Sequence, residues 1–143
     1  MLLDECPIPI VLAPLAGGPS TPELAAAVSE AGGLGFLAAG YLSASELADR
    51  IARTRQLTGR VFGVNVFVPQ PPGDSAAIEA YVLRLEPEAR TAGVGLGEPR
   101  QDDDEWAAKL ALLIEAPMPL VSFTFGCPPS DAVGRLHAVG TEV

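Results

Sequence analysis

The sequence encodes an α/β chain built on a parallel sheet, and three observations carry that expectation. Short apolar runs alternate with amphipathic runs along all 143 residues. The runs at strand positions are apolar on both faces, as strands covered by helices on a parallel sheet must be. Each amphipathic run opens on a capping residue or proline or closes on glycine, so the order reads βα four times over.

The first strand is "IPIVLAP" (Ile8–Pro14), ended by Pro14. The following helix opens at "STPEL", where Ser20 or Thr21 can cap, Pro22 suits the first turn and Glu23 completes an S-x-x-E box from Ser20. Gly32 and Gly33 close it. "LGFLAAGY" (Leu34–Tyr41) is the second strand. The next helix carries a Ser43-x-x-Glu46 capping box and a stripe of Leu47, Ala48, Ile51 and Ala52, and Gly59 stops it. "VFGVNVFVP" (Val61–Pro69) is the third strand. A helix over about residues 76–92 contains Pro87, which is expected to break or restart it. A helix over about 103–115 presents Trp106, Leu110 and Leu113. "LVSFTFG" (Leu120–Gly126) is the fourth strand, followed by a helix over 130–139 that buries Val133, Leu136 and Val139. "TEV" then resembles the first step of another strand. Two architectures fit this order, a doubly wound open sheet and part of a (β/α)8 barrel, which takes about 250 residues.

Composition excludes several functions. The chain is 48% hydrophobic and 19% charged with a net charge of -9, so it has neither a disordered composition nor a basic nucleic-acid surface. The acidic run "QDDDEW" reads as a solvated helix start. Cys6 and Cys127 lie far apart without a CxxC or a neighbouring His, so they read as buried or half-buried small side chains rather than a disulfide or metal site. No secretory leader and no apolar run of membrane-spanning length is evident, and a cytoplasmic setting is expected.

Four features could carry chemistry. "APLAGGPSTPEL" places two glycines between a strand and a helix. It lacks the G-x-G-x-x-G spacing and the Gly-Lys-Ser/Thr of the nucleotide loops, which leaves a tight turn or a close backbone approach to a flat ligand. In the third strand Gly63, Asn65 and Phe67 share one face, and Val64, Val66 and Val68 the other. Asn65 is then either a satisfied core amide or a ligand contact. In the fourth strand Ser122 and Thr124 oppose Phe123 and Phe125, which makes a small polar face. His137 lies late in a helix, away from the carboxyl ends of the strands where a base is expected, and reads as structural or solvent-facing.

"PIVLAPLAGGPSTPELAAAVSEAGGLGFLAAGYLSASEL", "FGVNVF" and "VSFTFG", in that order and spacing, resemble the nitronate monooxygenase family, formerly the 2-nitropropane dioxygenases. Enoyl reductases of the FabK type share a similar opening. The resemblance implies a (β/α)8 TIM barrel holding FMN non-covalently and oxidising alkyl nitronates with O2. On it, the chain is expected to be the N-terminal half of that barrel, one partial domain over residues 1–143. Ala13, Pro14 and Leu15 would lie against the flavin ring and Asn65 would hydrogen-bond the FMN. Ser122 and Thr124 would border the substrate. The family's catalytic His belongs to a "GGH"-type motif that this chain does not contain, and His137 does not match it. The phosphate-binding loops would lie beyond Val143. The resemblance thus implies a fragment inactive alone, with bare sheet edges, an exposed inner face and a tendency to self-associate or to pair with a C-terminal half. The competing expectations are an enoyl reductase-like FMN barrel and a non-catalytic (βα)4 module that pairs with a second chain.

Overall fold

The computed structural model describes residues 2–143. The chain divides into two compact units, residues 2–69 with 103–143, and residues 70–102.

The larger unit is a parallel sheet with helices packed on it. A short 3-10 helix (Leu2–Glu5) leads in. Then follow α1 (Pro22–Glu30), β1 (Gly35–Ala38), α2 (Ala44–Leu57), β2 (Phe62–Phe67), and, beyond the second unit's α3 (Ser75–Ala92), α4 (Trp106–Glu115), β3 (Leu120–Thr124) and α5 (Ser130–Ala138). The strands pair in the order β1-β2-β3, all parallel, with Ala38 beside Asn65 and Asn65 beside Ser122. Each new strand is added next to the last, so the sheet follows a barrel's strand order without the reversal of a doubly wound sheet.

The first expected strand shrinks to a single parallel bridge, Val11 beside Leu34. Leu12 N–H donates to Leu34 O and Leu34 N–H to Ile10 O, each at 2.9 Å. Pro7, Pro9 and Pro14 supply no N–H to a ladder, and Ile10 N–H turns back to Ile8 O at 2.8 Å, so the pairing cannot extend. At the opposite edge Glu142 bridges Leu120, as expected of "TEV".

The two faces of the sheet have different chemistry. Leu37, Phe62, Val64, Val66 and Val121 face the helices and join Leu47, Ile51, Leu113 and Leu136 in the core. The other face carries Phe36, Ala38, Gly63, Asn65, Phe67, Ser122 and Thr124. It is not bare as expected, because Phe36, Ala38 and Asn65 are buried. The exposed apolar surface lies instead along the Ile8–Val11 edge and at Leu15, Tyr41, Phe125 and Val143.

Several local expectations change. Thr21 caps α1, accepting from Leu24 N–H at 3.2 Å, while Ser20 serves the preceding loop and Glu23 pairs with Arg53 at 3.1 Å. The Ser43–Glu46 capping box forms as expected, and hydrogen bonds from the Ser43 backbone and hydroxyl hold the Glu46 carboxyl below the usual carboxylate range. The buried stripe of α2 is Leu47, Ile51 and Thr54, with Ala52 exposed. Thr54 can be buried because its hydroxyl donates to Arg50 O at 2.9 Å. In α5 the buried residues are Ala132 and Leu136, while Val133 and Val139 are half-buried.

In the smaller unit, α3 runs unbroken through Pro87. The proline offers no N–H to the Leu83 carbonyl, but Leu83 is exposed and Ala89 is the helix's one buried residue, so water can take that carbonyl. Asp74 caps α3 and Gly93 ends it in the left-handed conformation.

The acidic run stands exposed at the start of α4, as expected, except for Asp104, which is half-buried and paired. Helix α4 begins only at Trp106, because Asp104 and Glu105 adopt left-handed backbone angles (φ +55° and +52°). This conformation turns both carboxylates onto neighbouring backbone. Asp104 Oδ1 accepts from Tyr41 N–H at 2.8 Å and Glu105 Oε2 from Ala44 N–H at 2.8 Å. Asp104 Oδ2 pairs at 2.7 Å with Nζ of Lys109, which is 0% exposed and also donates to Ala39 O at 3.0 Å. Removing one partner of such a pair leaves an uncompensated buried charge. Lys109→Met should therefore lower the unfolding free energy by about 3–5 kcal/mol in denaturant titration. Lys109→Met combined with Asp104→Leu should recover part of that loss.

Candidate functional site

Asn65, Ser122 and Thr124 come together as one polar cluster. Register places Asn65 beside Ser122 and Phe67 beside Thr124 on adjacent strands. Asn65 Nδ2 donates to Ser122 Oγ at 2.9 Å and to Thr124 Oγ1 at 3.0 Å, and Thr124 Oγ1 donates back to Asn65 Oδ1 at 3.2 Å. Both amide protons of the 3%-exposed Asn65 are thus engaged, which is the satisfied-amide reading of the sequence. The Ser122 hydroxyl, accepting from Asn65, keeps its own proton for a further acceptor, and Asn65 Oδ1 keeps a lone pair. Ser122 and Thr124 are half-buried, so the cluster opens through the hydroxyls rather than through the amide.

Ala13, Pro14 and Leu15 lie at the carboxyl end of the first extended segment, and among the described residues no hydrogen bond joins them to Asn65. Ser20, itself buried, fastens this turn. Its Oγ accepts from Leu15 N–H at 2.6 Å and donates to Ala13 O at 3.3 Å. The backbone is pinned while the Ala13 and Leu15 side chains stay exposed and Pro14 half-exposed. Gly17 and Gly18 follow with φ of +81° and +130°, a path closed to most side chains, and no other group lies within 4 Å of where their Cβ atoms would stand. The result is an exposed apolar turn pinned by Ser20.

Phe125 departs from its expected face. The strand ends at Thr124, and Phe125 turns to φ +72°, which carries its ring to Phe67 (centroids 4.7 Å apart). Phe123 stays on the helix side against Trp106 (5.7 Å). Tyr41, at φ +66°, also meets Phe67, at 5.4 Å. His137 is exposed on α5, as expected. Cys127 is exposed, not buried, and Cys6 is half-buried. No cluster of three potential metal ligands occurs among the described residues. No helix among them is long and apolar enough to cross a membrane.

A parallel sheet in barrel order, with polar groups and open turns at the carboxyl ends of its strands, is the arrangement of part of a TIM barrel. The sequence pattern of the family described as "Nitronate monooxygenase" matches residues 2–143, and the chain belongs to that family. A "Probable nitronate monooxygenase" of Staphylococcus aureus (strain Newman) is 38% identical over 139 residues, which cover 94% of this chain and 38% of the relative. The nitroalkane oxidase structure from Streptomyces ansochromogenes superimposes with a TM-score of 0.89 at 53% identity, covering 98% of this chain and 40% of that one. FabK from Thermotoga maritima superimposes with a TM-score of 0.67 at 29% identity, covering 98% and 34%. The chain therefore spans about two-fifths of the length of these relatives.

The cluster predicts a stability effect separable from ligand binding. Asn65→Ala leaves the two hydroxyls without their amide donor and should cost about 1–3 kcal/mol. Thr124→Ser, which keeps the hydroxyl, should cost little in the same denaturant titration.

Proposed function

We propose that this chain is the flavin-facing part of an FMN-dependent enzyme that oxidises alkyl nitronates with O2, and that it is inactive without the rest of the barrel. Family membership carries the reading, and two features at the carboxyl ends of the extended segments support it. The Ala13–Leu15 turn is apolar, exposed and pinned by Ser20, as the face of a flat ring needs. The cluster of Asn65, Ser122 and Thr124 opens through its hydroxyls, and the Ser122 proton suits an acceptor on a flavin edge or an oxygen of a nitronate. Bound FMN would supply the redox chemistry. The chain's own residues would seat the ring, orient the substrate beside it and keep water from the reacting carbon. The catalytic base and the phosphate grip would come from outside these 143 residues, either from a continuous chain or from a partner that supplies the second half.

A second reading, an enoyl reductase-like flavin enzyme, is supported by the likeness to FabK. The two differ in their reductant, since nitronate oxidation needs no nicotinamide.

The test joins residues 1–143 to the remaining segment of the Streptomyces relative and compares the chimera with the chain alone. The chimera should quench and retain FMN at micromolar concentration and consume O2 with a nitronate in the absence of NAD(P)H. The 143-residue chain alone should show neither. A chimera that folds without binding FMN contradicts the proposal, and one that turns over only with NAD(P)H favours the reductase.

A further inference from the structure

The first extended segment is held to the sheet by one parallel bridge, Val11 beside Leu34, and its prolines give no N–H to a ladder. The turn that follows it, Ala13–Leu15, therefore has no strand pairing to fix it. A single residue takes over. Ser20, 1% exposed, accepts from Leu15 N–H through its Oγ at 2.6 Å and donates to Ala13 O at 3.3 Å. Its own N–H donates to Leu15 O at 3.3 Å. Ser20 thus engages the Ala13 carbonyl and both backbone groups of Leu15, while the side chains of those two residues stay exposed.

Ser20 is available for this because it does not cap α1. Thr21 does, accepting from Leu24 N–H at 3.2 Å, and Glu23 pairs with Arg53 instead of closing a box on Ser20. Ser20 directly precedes that cap, and α1 is fixed to the sheet at two points. Ser29 Oγ donates to Val61 O at 2.8 Å and accepts from Gly35 N–H at 3.0 Å. Gly35 lies so close to α1 that a Cβ there would overlap the Ala25 carbonyl. The mechanical path from the sheet to the turn therefore runs through α1 and ends on one hydroxyl. That hydroxyl does for the turn what a ladder of backbone hydrogen bonds does for the ends of β2 and β3.

We propose that Ser20 is a positioning residue for the flavin: it holds the Ala13–Leu15 turn where strand pairing cannot, and FMN affinity depends on its hydroxyl. This rests on the reading above that the turn faces the ring. Ser20 is buried, so it acts through the backbone of Ala13 and Leu15 rather than by contact with the ring.

Two substitutions separate positioning from plain stability. Ser20→Ala removes the fastening of the turn and leaves the cap of α1. Thr21→Ala removes the cap and leaves the fastening. In the 143-residue chain, amide exchange of Leu15 should quicken in Ser20→Ala, and that of Leu24 in Thr21→Ala. In the chimera with the Streptomyces relative, both substitutions should lower the denaturation midpoint. Only Ser20→Ala should weaken FMN binding, by about five- to ten-fold, and reduce the visible circular dichroism of the bound flavin. A serine with a structural role alone would shift the midpoint and leave both flavin readouts unchanged. The proposal is overturned by unchanged exchange of Leu15 in Ser20→Ala, or by equal weakening of FMN binding in Thr21→Ala. An unaltered chimera that folds without binding FMN overturns the flavin reading and this proposal with it. An unaltered chimera that binds FMN no more tightly than its Ser20→Ala variant overturns the proposal alone.

Discussion

The buried pair of Lys109 and Asp104 is the constraint on which the functional end of the sheet depends. An ammonium with no exposure to water is tolerable only when its partners are fixed. Here those partners are the carboxylate of Asp104 and the carbonyl of Ala39, at the carboxyl end of β1. Asp104 spends its other oxygen on the Tyr41 backbone, and Glu105 beside it reaches the first residue of α2. One charge pair therefore joins the start of α4 to the end of β1 and to the loop that opens α2. Its left-handed residues are strained because their carboxylates must point back at that loop.

With the strand ends fixed in this way, alternation along the strands divides the labour. The valine side of β2 is committed to the helices and supplies the hydrophobic burial that holds the unit together. The opposite side is free to be small, polar or aromatic. On that side lie the hydrogen-bonded cluster around Asn65 and the rings around Phe67, and the pinned apolar turn of Ala13–Leu15 follows the first extended segment. In a barrel of parallel strands this is the end where ligands bind, because the loops there can vary without disturbing the packed layers below.

Much of this was legible in the sequence, for identifiable reasons. Period-two alternation alone put Asn65 on one face and the valines on the other, and pointed Ser122 and Thr124 the same way, because strand geometry leaves no other choice. The Ser43–Glu46 box was equally plain, since its hydrogen bonds are local. Interactions between residues distant in sequence were not legible. Lys109 in "WAAKLALL" has the look of a surface lysine, and nothing nearby reveals that a carboxylate in left-handed conformation meets it. "QDDDEW" reads as a helix start by composition, whereas the angles of Asp104 and Glu105 are set by Tyr41 and Ala44, sixty residues away. Alternation groups Phe125 with Phe123, but alternation holds only while the strand lasts, and β3 ends one residue earlier. Pro87 does not break its helix because Leu83, whose carbonyl loses its donor, is exposed and water can take that carbonyl. The first strand faded to one bridge because three prolines remove the donors that a ladder requires.

The central claim is that the Lys109–Asp104 pair organises the strand ends as a unit, and native-state amide hydrogen exchange tests it most directly. The Tyr41 and Ala44 amides, both bound to carboxylates of the acidic run, should be protected together in the unaltered chain. In the Lys109→Met variant, under conditions where the core amides of β2 remain protected, both should exchange faster, with Tyr41 the more affected. Unchanged protection of Tyr41 in that variant would contradict the account.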